Sequence, residues 1–160
     1  MSLLSLAEQL QALPSSTAIR ETLWYPIIES VHVLGIVFVL GTAGVLDLRL
    51  LGRVMRRQPV SQVAQQLLPW TFGGFAVMML SGLVLVYTEP VKTYHSMWAP
   101  IKLGLLILAG LNAWIFQIGV YRSVDTWDSA AVPPLGAKLA GAFSLVLWVG
   151  IVMAGRLIAY

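Results

Sequence analysis

Residues 27–38 read IIESVHVLGIVF, and the fold turns on how that stretch is read. Nine of its twelve residues are apolar or glycine, yet Glu29 and His32 stand inside it. The apolar character runs on: residues 30–46 contain no Asp, Glu, Lys or Arg. Three further stretches share this property, at 58–88, 103–121 and 139–155. A helix needs roughly 20 mostly apolar residues to cross a bilayer. With boundary residues added, the runs predict spanning helices near 24–46, 67–88, 98–121 and 136–158. None alternates as a membrane β-strand does. The expected fold is all-α: a four-helix bundle in one integral membrane domain, residues 1–160.

Composition agrees. The chain has 160 residues, 58% hydrophobic and 11% charged. A soluble domain carries about 25% charged residues. No cysteine is present, which excludes disulfides, thiol catalysis and cysteine-held metal. The net charge is only +3, and its basic residues gather in one loop. This pattern fits membrane topology and argues against a nucleic-acid partner.

That loop, 47–62, reads DLRLLGRVMRRQPVSQ and carries Arg49, Arg53, Arg56 and Arg57. The loop between the third and fourth spans adds Arg122 and Lys138. By the positive-inside rule both loops face the cytoplasm. Both termini then face outward, into the periplasm of a bacterium with this protein in its inner membrane. Trp24, Tyr25, Tyr87, Trp98 and Tyr160 fall near the outer interface, Trp70 and Trp127 near the inner one, as aromatic belts do. The opening MSLLSLAEQLQALPSS lacks the basic start of a signal peptide. Its leucines, Leu3, Leu4, Leu6, Leu10 and Leu13, predict a short amphipathic helix over 1–15 lying on the membrane surface. Small residues such as Gly41, Gly44, Gly73, Gly74, Gly104, Ala137 and Gly141 allow helices to approach closely.

Ionisable groups inside spans are expensive and usually functional. At about 1.5 Å per residue, Glu29 lies one to two turns below the outer interface. His32 is a turn deeper on the same face. Lys102 sits about a turn into the third span, Arg156 near the outer end of the fourth, and His95 in the outer loop EPVKTYHSMWAP. All five converge on the outer half. Each also has a plainer reading. Lys102 and Arg156 can snorkel to headgroups. Glu29 can pair with either of them, His95 can be an ordinary loop residue, and His32 can be a hydrogen-bonded structural histidine. Asp47 and Arg49 read as a solvated helix end, Asp125 and Asp128 as surface residues beside Trp127, and Asn112 and Gln117 as interhelical hydrogen-bonders.

Three chemistries fit. The first is a b-type haem with His32 as axial ligand and His95 or Lys102 as the second. There Arg156 or Lys102 would meet the propionates, and Glu29 would orient the imidazole from behind. Such a protein transfers electrons to or from a redox partner. The second is copper, held by His32, His95 and a methionine such as Met97. The third is a cofactor-free accessory or scaffold subunit of a larger membrane complex. No nucleophile motif is visible, so an ordinary hydrolase is not expected; whether the protein is an enzyme stays open.

The stretches ESVHVLGIVFVLGTAGVLDLRLLG, LLPWTFGGFAVMMLSG, IKLGLLILAGLNAW and LAGAFSLVLWVGIVMAGRLIAY resemble a bacterial family of small four-helix inner-membrane proteins of unknown function. The resemblance implies a fold and no activity. More distantly, His32 with the small residues after it, and Lys102 in IKLGLL, resemble the haem-binding protoporphyrinogen oxidase of bacteria and the membrane domain of copper-resistance D proteins. Resemblance to the oxidase implies His32 as a haem ligand and Lys102 as a haem-associated or catalytic residue.

Overall fold

The computed structural model describes residues 2–159, and among these it contains helices and no strand. Tyr160, expected in the outer aromatic belt, and Met1 lie outside the described residues. Two short helices come first, α1 (Leu3–Gln11) and α2 (Pro14–Arg20). Then come α3 (Trp24–Leu50), α4 (Val60–Thr88), the short α5 (Pro90–His95) and α6 (Trp98–Ile118). A 3₁₀ helix (Val120–Thr126) leads to α7 (Leu135–Ala159). Helices α3, α4, α6 and α7 are each long and apolar enough to cross a membrane. The chain is a multi-pass membrane protein whose spanning helices present apolar surface to lipid.

Helix α3 packs along α4, α6 packs along α7, and the two pairs meet where α3 touches α7. The neighbour order is therefore α4, α3, α7, α6, with no comparable contact from α4 to α6. Lipid tails are as apolar as leucine, so association rests on close van der Waals packing. Two glycines make the contacts possible. A Cβ on Gly74 of α4 would lie 2.9 Å from Phe38 Cβ of α3. One on Gly141 of α7 would lie 2.8 Å from the Asp47 carbonyl of α3. Gly41, Gly73 and Gly104 have open space beside them, so the small-residue signal marked interfaces at only some positions. Asn112 Nδ2 donates to the Ala140 carbonyl at 3.0 Å, joining α6 to α7 as expected of a mid-span amide.

Two ends of the molecule are tied by polar contacts. At the end that carries both termini, outer in the orientation expected from the arginines, α1 packs on α5 and α2 on α4. Ser2 caps α1, accepting from Ser5 N at 3.2 Å. Ser16 is fully buried and donates to the Thr88 carbonyl at 3.3 Å. Tyr25 Oη donates to Glu89 Oε2 at 3.1 Å, and Lys92 Nζ donates to the Ala159 carbonyl at 2.8 Å. Of the leucines expected to face the membrane surface, Leu3, Leu6 and Leu13 are exposed, while Leu4 and Leu10 are half-buried.

The inner end departs from expectation. Helix α4 begins at Val60, well before residue 67, because the other inner loop caps it. The first N–H groups of a helix have no partner within it. Asp128 supplies two: its carbonyl accepts from Val60 N at 3.0 Å and its Oδ1 from Ser61 N at 2.7 Å. Its other carboxylate oxygen accepts from Ser61 Oγ. Arg49 is fully buried instead of solvated. Its Nε and Nη2 donate to the Gln58 carbonyl at 3.0 and 2.9 Å. Nη2 also reaches the carbonyls of Asp128 and Ala130, at 3.4 and 3.3 Å. Asp47 is buried too, against α7 near Ser144. Leu50, Val60, Val124 and Ala137 form an apolar cluster here, with Phe116 and Trp127 packed on it. The reading of Asp47 and Arg49 as a solvated helix end is thereby corrected: both turn inward. Asp128, read as a surface residue, joins two loops.

Candidate functional site

In the outer half, each of the four spanning helices contributes to one neighbourhood. His32 of α3 is buried, with 9% of its surface exposed. Its Nδ1 lies 3.0 Å from Ser81 Oγ of α4. Ser81 Oγ in turn donates to the Val77 carbonyl one turn back, at 2.6 Å. A hydroxyl has one proton. With that proton on the Val77 or Met78 carbonyl, 2.6 or 3.2 Å away, Ser81 accepts from the imidazole and the lone pair falls on Nε2; with it on Nδ1 the tautomer reverses. The imidazole also hydrogen-bonds the backbone of Met78, one turn before Gly82 on α4.

The ring also rests on Gly82. A Cβ there would lie 3.1 Å from His32 Cε1 and 3.5 Å from Nδ1, so any larger residue would push the imidazole aside. Ser81 and Gly82 together fix the ring from the α4 side. From the other pair, Lys102 of α6 lies near enough to act on His32 electrostatically. Its aliphatic arm crosses α7 at Gly155, where a Cβ would meet Nζ at 3.2 Å and Cε at 3.5 Å. A bulkier residue at 155 would push that arm away.

The remaining residues singled out from sequence take other positions. Glu29 is exposed on α3, within electrostatic reach of His32 and Tyr25. Arg156 is exposed in the last turn of α7. His95 ends α5, exposed, its ring edge-on to Tyr94 with centroids 5.3 Å apart. Met97, the sulfur ligand of the copper reading, is 69% exposed. Among the described residues no group of three or more His, Asp or Glu side chains is placed to hold a metal ion. The structure thus puts Lys102 and Glu29 within electrostatic reach of His32 and sets His95 on a different element.

Sequence reasoning missed Ser81 and Gly82. The signal was there, as a small polar residue and a glycine in the apolar run MMLSGLV. Pairing them with His32 requires knowing that α3 and α4 are neighbours and in which register. The inner contacts were missed for the same reason, since Arg49 and Ala130 are far apart in the chain.

Outside the membrane, the setting of Asp128 shifts its carboxyl. Burial alone would push its carboxyl up, but hydrogen bonds from the Ser61 hydroxyl and from the Ser61 and Val60 N–H groups, with the Arg49 charge, hold it below the usual range.

No curated protein and no solved structure shows a match to this chain. A family model does, over residues 20–160, which takes in all four spanning helices and His32, Ser81 and Lys102. The chain belongs to the DUF6644 family, a family of unknown function.

Proposed function

We propose that this protein binds one b-type haem in the outer half of its bundle and passes electrons at the membrane. One observation carries the reading: the Ser81 hydroxyl, 3.0 Å from Nδ1, fixes a buried His32 imidazole between α3 and α4. Ligating histidines are commonly held this way, with the far ring nitrogen donating to a fixed acceptor. The donor set suits the group, because neutral imidazole between apolar helices is a usual haem ligand. His32 Nε2 would be the axial ligand. Lys102 would serve as second ligand or as partner of a propionate, and Arg156 as a second propionate partner. His95 takes the second ligand position only if α5 folds inward. When bound, haem supplies a one-electron centre. The protein's own part is to hold the imidazole, exclude water with the apolar faces of α3 and α4, and set a cation beside the site.

The distribution of arginine supports an orientation with both termini on the periplasmic side of a bacterial inner membrane. A reporter fused after Tyr160 should therefore read outside, and a cytoplasmic readout would reverse the orientation.

A second reading has its own support. Helix α6 has no buried residue, and Glu29 is an exposed charge on a spanning helix. A cofactor-free accessory subunit would cover both against a larger membrane complex. One preparation separates the readings: absorption spectra of the detergent-purified protein, oxidised and dithionite-reduced, with porphyrin and copper measured on the same sample. A Soret band that shifts on reduction, with a reduced α-band, is expected. Copper without porphyrin would favour the copper site. A colourless, metal-free protein that co-purifies with a larger complex would favour the accessory subunit.

A further inference from the structure

Between α3 and α4 the chain makes a short loop whose design exceeds what topology alone requires. Arg53, Arg56 and Arg57 are all exposed, and no ion pair engages them among the described residues. The acids nearby do not neutralise them. Asp47 is buried against α7, and Asp128 is bound to Ser61. Asp125 is exposed on the 3₁₀ helix.

The loop is held in one shape. Gly52 closes α3 at φ +69°, and Arg53 N donates back to the Leu48 carbonyl at 2.9 Å. At the far end Arg49 grips the Gln58 carbonyl from inside. Between these anchors Met55 adopts φ +48°, a region unfavourable for a residue with a side chain. The turn is closed by Gln58 N donating to the Met55 carbonyl at 2.9 Å. This strained residue is apolar, 46% exposed and flanked by the arginines. A loop that only had to stay on one side of the membrane would need the charge, and neither the clamp nor the strained methionine.

We propose that this loop binds anionic phospholipid headgroups of the leaflet it borders, with Arg53, Arg56 and Arg57 meeting phosphate oxygens and Met55 entering the headgroup layer. Guanidinium matches phosphate through paired N–H groups. A lipid is the occupant because the loop leaves two spanning helices at the membrane surface, where acidic headgroups are concentrated. An apolar tip among cations also suits the boundary between headgroup and acyl chain better than a soluble anion. The proposal does not depend on the haem reading.

The test uses the full-length protein in dodecyl maltoside micelles. Phosphatidylglycerol, phosphatidylcholine or inorganic phosphate is titrated in while the thermal unfolding midpoint is followed. The midpoint should rise with phosphatidylglycerol only, and salt should weaken the rise. In the triple variant Arg53→Gln, Arg56→Gln, Arg57→Gln the apparent affinity should fall by roughly 100-fold, at about fivefold per arginine. Its midpoint without lipid should be unchanged, since these side chains are exposed. Met55→Ser should weaken the response severalfold. An equal rise with phosphatidylcholine, a full rise with phosphate alone, or an unaltered response in the triple variant would each overturn the proposal.

Discussion

The two ends of α3 carry buried polar residues of similar character, and the bundle treats them differently. At the inner end Arg49 turns its donors to backbone carbonyls of two loops, and Asp128 turns its carboxylate to the start of α4. Those groups answer one another, and the result is a joint. At the outer end the His32 ring is held by Ser81 at Nδ1 and by the Met78 backbone, within electrostatic reach of Lys102. Incompleteness alone does not separate the two ends, since Arg49 Nη1 and Asp47 Oδ2 are also buried without a hydrogen-bond partner among the described residues. What differs is that the Arg49 donors tie two loops together, whereas Ser81 sets the direction of a single ring.

The sharpest way to break this contrast is to remove the joint. Arg49→Met leaves the Gln58 and Ala130 carbonyls without their buried donor and the Asp128 carbonyl with Val60 N alone. It should destabilise the protein by about 2–4 kcal/mol, measured by unfolding in micelles. Whatever cofactor signal the folded fraction carries should keep its shape. If Arg49→Met is as stable as the parent, the inner end is not a joint.

Ser81→Ala acts on the other side of the comparison. It removes the acceptor that orients the imidazole while leaving the apolar packing in place. Haem retention should fall by roughly 10–100-fold, with a much smaller change in stability. A stability loss with unaltered retention would make Ser81 part of the fold and nothing more.

Asp128→Ala should cost about 1 kcal/mol through the lost cap, and it carries a pH signature. The folded carboxyl is held below its ordinary value, so its contribution is complete above the ordinary carboxylate range near pH ~4. It is lost as pH falls through that range and below it. The parent should lose stability over that acid window and the variant should lose less; identical acid profiles would remove Asp128 from the account. The smallest effect belongs to Gly155→Ala. The added methyl meets the flexible end of Lys102, which gives way easily. The spectrum or potential of the outer site should shift slightly and stability should hold.

These two regions also show how far the sequence could be read. The spans were legible because uncharged apolar runs of sufficient length have no other home, and the starts at Trp24 and Trp98 agree with the helices observed. The start of α4 was not. Ser61, Gln62, Gln65 and Gln66 depress its apolar character, and what fixes it is a cap from Asp128, sixty-seven positions away. The depth of His32 followed from counting along one helix. Its partner Ser81 did not, because no pattern within a single helix states which helix lies beside it. Arg49 misled for a related reason: beside a basic loop, a buried arginine and a solvated one look the same.

The most direct measurement compares the reduced-minus-oxidised absorption spectrum of the purified protein with that of His32→Ala, each checked for helicity and for porphyrin per chain. The account predicts a haem spectrum in the parent and none in a folded His32→Ala protein. Undiminished haem in His32→Ala, or a parent without porphyrin, would contradict it.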